Sequence, residues 1–338
     1  MKPLKLKTLK ALIPTNFLNY IKEFLRTIEL KKSYVYDFKR YKNHSRLSEA
    51  VTPLKLAGEI ISLYHVIEKG LTMPEVRPGF GQERIPKLCT LCSEFISKFG
   101  LTDEQVKHAI AVIYEYEIFH KNRRYELTTL VADSISKLKS RALDIIPSSQ
   151  TEFSKQEYFV NVNDNFSSFS QSRKSIRNFT SEEVPVEMIT TALELARNTP
   201  SACNRQPWRT YVHINKHKIE RILEIQAGAR GFGHKANKLI IITGEVGGFC
   251  GSAERNQVYI DSGIYAMNVL YSLHFNKIAA CILNCCHTQE KDTNLRHLCS
   301  IKESEVFICM IACGMPNDNF KIAISERYSL KNTNTVII

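Results

Sequence analysis

The apolar residues of this chain change their period partway along it, and that change limits the fold more than any other feature. Between residues 54 and 142 they recur at helical spacing, as in Leu54, Leu56, Ala57, Ile60, Ile61, Tyr64, His65 and Ile67, and again in Val106, Ile110, Val112, Ile113, Ile118 and Phe119. After Trp208, short strand-like runs (209–214, 239–243, 279–283 and 305–312) are interleaved with helix-period segments at 216–226 and 258–276. The stretch from Pro147 to Ser172 has no period and is rich in Ser and Asn. These shifts divide the chain into a basic arm or helix over 1–46, an all-helical domain over 47–146, a linker over 147–165 and a mixed domain over 166–338. Strands and helices without strict βαβ alternation predict an α+β class for that last part.

Local signals sharpen the outline. Helix 54–70 is expected to end on Gly70 as a left-handed cap, with Lys69 near the helix C-terminus and Leu71 folding back. Helix 84–100 is followed by one long helix over 103–142, with Thr102 as its N-cap. Between helices 54–70 and 84–100, Met73–Gly81 carries two prolines and two glycines and must be a loop. It is either a lid presenting Arg77 and Phe80 or a connection anchored by its aromatic. Thr180 to Glu183 are expected to open another helix, which Pro200 stops.

A length of 338 residues allows one large or two ordinary domains, and 43% hydrophobic with 24% charged residues is ordinary globular composition. No apolar run reaches membrane-spanning length, and the start lacks the apolar core of a secretory signal. Ten irregularly spaced cysteines suggest reduced thiols in a cytoplasmic protein. Of the net charge of +12, nine belong to residues 1–46, which hold twelve Lys/Arg against Glu23, Glu29 and Asp37. Such an arm is either a solubilising tail or a peripheral membrane contact, since Leu12, Ile13, Phe17, Leu18, Ile21, Phe24, Leu25 and Ile28 interleave with its charges. No nucleic-acid-binding module is visible.

Two polar stretches carry the chemistry. Ser172 to Arg177 packs three cations and two hydroxyls into six residues, and Pro200 to Arg209 is a small, polar loop closed by the chain's sole tryptophan, Trp208. Guanidinium forks with hydroxyl and amide donors suit a phosphorylated, planar ligand. Rival sites are less coherent. Cys89 and Cys92 form a CxxC inside a helical period, with no second pair to complete a zinc site. Cys281, Cys285, Cys286 and His287 lie around a strand, where alternate residues face opposite ways, so no metal is assigned. The strand 239–243 runs into Gly244, Gly247, Gly248 and Gly251, but without the spacing of a dinucleotide-binding turn.

Taken together, Ser172–Arg177 with Phe179, the helix after it, Pro200–Arg209, Asp261–Asn268, Ala280–Asn284, Ile311–Pro316 and Ser325–Arg327 resemble, in order, the nitroreductase-like FMN flavoproteins over roughly 166–338. The resemblance implies a mixed sheet flanked by helices, a homodimer, FMN as cofactor, NAD(P)H as reductant and a small-molecule substrate. It implies that Arg173, Lys174, Ser175 and Arg177 hold the phosphate, the ribityl chain and the N1/O2 edge of the ring, and that Arg327 completes the phosphate site. Ser201, Ala202, Asn204 and Gln206 match a loop that reaches the flavin, often across the dimer interface, and Leu283 and Asn284 match a segment approaching the ring. No acid–base residue is identified. His65, Glu68, Lys69, Gly70 and Leu71, with Arg77–Gly81, resemble a branch with an added helical domain, often associated with bacterial surface-polysaccharide biosynthesis. A member that binds flavin without catalysis, or serves as a scaffold, is the alternative that a large helical domain and charged arm suggest.

Overall fold

The computed structural model describes residues 14–47, 51–142 and 144–337. Helix α1 (Thr15–His44) spans most of the basic arm, whose first thirteen residues, Leu12 and Ile13 among them, lie outside the described residues. It docks on residues 252–255: Arg255 donates to both carboxylate oxygens of Asp37 at 2.6 and 2.8 Å, and the Ser252 hydroxyl donates to Glu29 at 2.9 Å. Most of its large apolar side chains stay in solvent, with Phe24 57% and Tyr41 68% exposed.

Helices α2 (Pro53–Leu71), α3 (Ile85–Phe99), α4 (Glu104–Asn122) and α5 (Thr129–Lys139) enclose one apolar core. Cys89 and Cys92 are buried in it. Thr52 caps α2 by accepting from the Lys55 amide, and Pro53 occupies the first helical position, where a missing N–H costs nothing. Three expectations are corrected here. Helix α2 runs through Gly70 to Leu71, and Gly70 is not left-handed. It is small because a Cβ there would lie 2.1 Å from the Phe80 ring. The N-cap of α4 is Asp103, which accepts from the amides of Gln105 and Val106, and not Thr102. The expected 103–142 helix breaks after Asn122, where Arg124 takes φ +52°, a turn that no glycine or proline announces.

The Met73–Gly81 loop is an anchored connection. The Gly79 amide donates to Nε2 of buried His120, the Tyr116 hydroxyl donates to the Phe80 carbonyl, and the Phe80 ring packs on Tyr116, Phe119 and His120. Burial keeps His120 neutral, as an acceptor at Nε2 must be, while its Nδ1 donates to the Tyr116 carbonyl.

The stretch read as a linker folds. Strand β1 (Gln150–Ser154) leads through a Ser154–Glu157 capping box into helix α6 (Lys155–Phe159), and helix α7 (Phe166–Ser172) follows. Tyr158, Phe159 and Val162 enter the core beneath the sheet. The helix expected from Thr180 begins later, as α8 (Val186–Ala196). Beyond it come β2 (Trp208–His213), α9 (Lys216–Gln226), β3 (Lys238–Glu245), α10 (Gln257–Phe275), β4 (Ala279–Asn284), α11 (Gln289–Cys299), β5 (Glu305–Gly314) and β6 (Asn319–Ala323).

The α+β class is what the structure shows. The main sheet has the order β2-β3-β5-β4, and each of its three pairings is antiparallel where a mixed sheet was expected. Strand β3 is buried on both faces, so it reads as a continuous apolar run. Leu239 and Ile241 point to a core with α6, α9 and α11, whereas Ile240 and Ile242 point to one with α8 and α10. Trp208 belongs to the second core, stacked on Tyr265 at 4.6 Å. Strands β1 and β6 form a separate antiparallel ribbon.

Candidate functional site

Strand β4 is the platform on which the first polar stretch is laid. The Ile176 amide donates to the Ala280 carbonyl at 3.0 Å, and Phe179 bridges to Pro316, so the chain from Arg173 to Phe179 crosses the sheet end in extended form. Its start is held from below. The Tyr158 hydroxyl donates to the Lys174 carbonyl at 3.0 Å and accepts from the Lys174 amide at 3.1 Å. His274 donates to the Ser172 hydroxyl at 2.7 Å, and that hydroxyl donates to the Phe169 carbonyl. Burial, then the Arg173 charge, push His274 down to about 4, so its ring stays neutral beside the cations.

The result is a cavity of about 560 Å³ lined by Arg173, Lys174, Ser175 and Arg177 on one side and Ser325 and Arg327 on the other, with Met267 and Tyr271 of α10 between. That size lies in the usual range for small-molecule sites. Among the described residues, Glu326 is the only acidic one lining it. Burial first, then Arg173 and Arg327, hold the Lys174 ammonium below its usual value. Arg177 is buried, and its Nε has no hydrogen-bond partner among the described residues. A desolvated, unpaired guanidinium N–H among crowded cations is costly unless an anion joins it. The donor set therefore fits a phosphate-bearing cofactor, with Arg173, Lys174, Ser175, Arg177 and Arg327 as the residues that would hold it.

The other residues named from the sequence lie elsewhere in this chain. Ser201, Ala202, Asn204 and Gln206 form a polar loop beside α10, where the Ala202 amide donates to buried Asp261 at 3.2 Å and the Gln206 amide donates to the Ser201 hydroxyl at 2.9 Å. Cys203, Asn204 and Gln206 all adopt positive φ, near +50°, although none is glycine. Strain of about 1 kcal/mol or more per such residue persists only where surrounding structure enforces it. Leu283 is buried under the sheet, and Asn284 is exposed at the strand's end, with its carbonyl accepting from Gln226 at 2.9 Å. Neither group lines the cavity.

Four contributors escaped sequence reasoning. Tyr158 lay in the supposed linker, His274 looked like an ordinary polar residue, Tyr271 had only helical period to mark it, and Met267 lay in the Asp261–Asn268 stretch of the resemblance without being given a role. Lys69 is a fifth cation in the neighbourhood; burial first, then nearby Arg177, hold its ammonium below the usual value. Its place directly after Glu68 was the available signal.

Glu68 is wholly buried, and accepts from His108 at 2.8 Å, from His65 at 3.2 Å and from the Ser325 amide at 2.8 Å. Burial opposes its ionisation, but these donors outweigh it and bring the carboxyl down to about 2. A depressed carboxyl stabilises the fold above its unfolded value near 4.5 and loses that contribution as pH falls towards about 2. Glu68→Gln is therefore expected to lower the melting temperature at pH 7 and to flatten its decline between about pH 4.5 and 2, measured by circular dichroism.

Residues 171–315 match the nitroreductase family. A Methanothermobacter thermautotrophicus protein provisionally named NADH dehydrogenase/NAD(P)H nitroreductase is 27% identical over 153 residues, covering 44% of this chain and 76% of its own. Mouse iodotyrosine deiodinase 1 is 33% identical over 87 residues, which are 25% of this chain and 30% of that protein. Among solved structures, a nitroreductase-like protein from Streptococcus mutans overlies 52% of this chain and 99% of its own with a TM-score of 0.44 and 19% identity.

Proposed function

We propose that this chain is an FMN-dependent oxidoreductase that takes reducing equivalents from NAD(P)H and delivers them to a small molecule. The observation that carries the reading is the convergence of Arg173, Lys174, Arg177 and Arg327 on one cavity in which buried Arg177 has an unpartnered Nε. Bound FMN would supply the redox chemistry, accepting a hydride and passing electrons to the second substrate. The protein's part is to bind and orient. Guanidinium groups grip the phosphate and place positive charge where reduced flavin is negative, while Met267 and Tyr271 offer an apolar and aromatic wall.

A homodimer completes this reading. Tyr259, Ile260, Ile264 and Met267 leave an apolar stripe of α10 in solvent, and Met267 also lines the cavity. The strained 201–206 loop stands away from its own chain's cavity, as expected of a loop that serves a second copy. The exposed apolar side chains of α1 favour a second reading, in which the chain also acts as a scaffold. Among the described residues no helix is long and apolar enough to cross a membrane.

The test is direct. The purified protein is expected to be yellow, to release FMN on denaturation, and to bleach anaerobically with NADH or NADPH. A colourless protein that binds no added FMN sinks the reading, and a yellow one that neither nucleotide bleaches moves it to the non-catalytic form.

A further inference from the structure

The last described segment is strapped across the helical part of the molecule by a row of specific bonds. The Ser325 amide donates to Glu68 Oε1 at 2.8 Å, Gln105 Nε2 donates to the Glu326 carbonyl at 3.0 Å, and the Tyr328 hydroxyl donates to Asp103 at 3.3 Å. The Ser329 amide and the Asn332 side chain both donate to Glu104, at 2.8 and 3.0 Å. Every one of these partners sits on α2 or at the start of α4. The first three strap residues, Ser325, Glu326 and Arg327, are also one wall of the cation-lined cavity.

The chain does not take this path by default. Ser325 is held at φ +51°, a left-handed conformation costing about 1 kcal/mol for a non-glycine residue. The strap has little apolar anchorage of its own: Glu326 and Arg327 are exposed, and Ile324, Ser325, Tyr328 and Ser329 only half-buried. The group that receives it is, by contrast, a carboxylate with no solvent exposure, held by two histidines. A buried carboxylate is expensive unless its oxygens are occupied, and removing it would leave His108 and the Ser325 amide unpaired.

We propose that the helical domain is the clasp of the cofactor site: Glu68 is a positioning residue that fixes Ser325 and thereby Arg327, and so sets how long a phosphate-bearing ligand stays bound. The proposal rests on the flavin reading of the cavity for the identity of that ligand. It gives the helical domain a role in flavin retention rather than in chemistry, and accounts for the Glu68 motif that the flavin site itself does not use. Glu68 acts through Ser325 and need not touch the ligand.

The test uses the full chain with FMN as probe. Glu68→Ala is expected to release FMN about tenfold faster, the loss that follows from one broken charged hydrogen bond. Glu68→Gln keeps an acceptor for Ser325 and should recover most of the retention. Amide hydrogen exchange should rise at 325–329 in Glu68→Ala while the β3 amides stay unchanged, which a general loss of stability would not do. A folded Glu68→Ala protein with normal release and normal exchange at 325–329 overturns the proposal. If Glu68→Ala does not fold, Tyr328→Phe removes only the strap's bond to Asp103: faster release supports the clasp, and unchanged release overturns it. If even the unaltered protein binds no FMN, the flavin reading fails by itself, and exchange at 325–329 still decides the clasp.

Discussion

Arg173→Ala is expected to yield a folded protein that binds FMN about 30- to 150-fold more weakly, since a charged hydrogen-bond pair is worth about 2–3 kcal/mol. Arg173 follows the end of α7, where Tyr158, Ser172 and His274 hold the backbone around it, so truncating its side chain leaves those bonds intact. The free protein should be no less stable than the unaltered chain. Arg173 is one of the charges that depress the Lys174 ammonium, so removing it relieves repulsion. A fluorescence titration with FMN, alongside a thermal melt of the free protein, measures both effects. Normal flavin retention would refute the assignment of Arg173. Weak binding together with a large fall in melting temperature would mean that Arg173 matters for the fold and not for the ligand.

Gly70→Ala is expected to destabilise the chain by about 2 kcal/mol, although alanine favours a helix over glycine by about 1 kcal/mol. The new methyl group would lie 2.1 Å from Cε2 of Phe80 and 2.7 Å from Cδ2. The ring has nowhere easy to go, because it packs on Tyr116, Phe119 and His120 and the Tyr116 hydroxyl holds its carbonyl at 2.7 Å. Overpacking therefore outweighs propensity. In a Phe80→Ala background the clash disappears, and the same substitution should raise stability by up to about 1 kcal/mol. Urea unfolding of the four proteins checks this reversal of sign. A glycine acting as a left-handed cap would instead lose stability whatever stands at position 80.

Gly70 also shows how far a sequence could be read. A glycine after a helical run, with Lys69 before it, is the usual signature of a cap, and nothing local distinguishes it from a glycine that admits a ring ten positions later. The difference is a tertiary contact. Arg124 presents the converse case: the chain turns there without glycine or proline, so one long helix was expected where two exist. The Ser/Asn-rich stretch failed for another reason. Strand β1 is short and partly exposed, and its pairing partner β6 lies far along the chain, so no local period marks it.

The candidate cofactor site was legible in part. Arg173, Lys174, Ser175 and Arg177 lie within five residues, and their charge and spacing stand out in any one-dimensional reading. Arg327 could be joined to them only through the resemblance, and the cavity is where the two meet. Tyr158 and His274 were invisible because their work is done through backbone and hydroxyl contacts with residues 16 and 102 positions away. The Met73–Gly81 loop, a lid or an anchored connection from sequence, is anchored in the fold by His120 and Tyr116, residues whose reach across the helical core no spacing reveals.

By itself the sequence determined the helical first part, the α+β second part and a cluster of cations suited to an anionic ligand, because periodicity and charge are local properties. Only the tertiary structure decided that the cations converge on one cavity, that Arg177 is buried with an unpartnered Nε, and that Glu68 of the helical part grips the far wall. Those facts depend on which groups lose water together, and burial is a property of the folded chain rather than of any stretch of it.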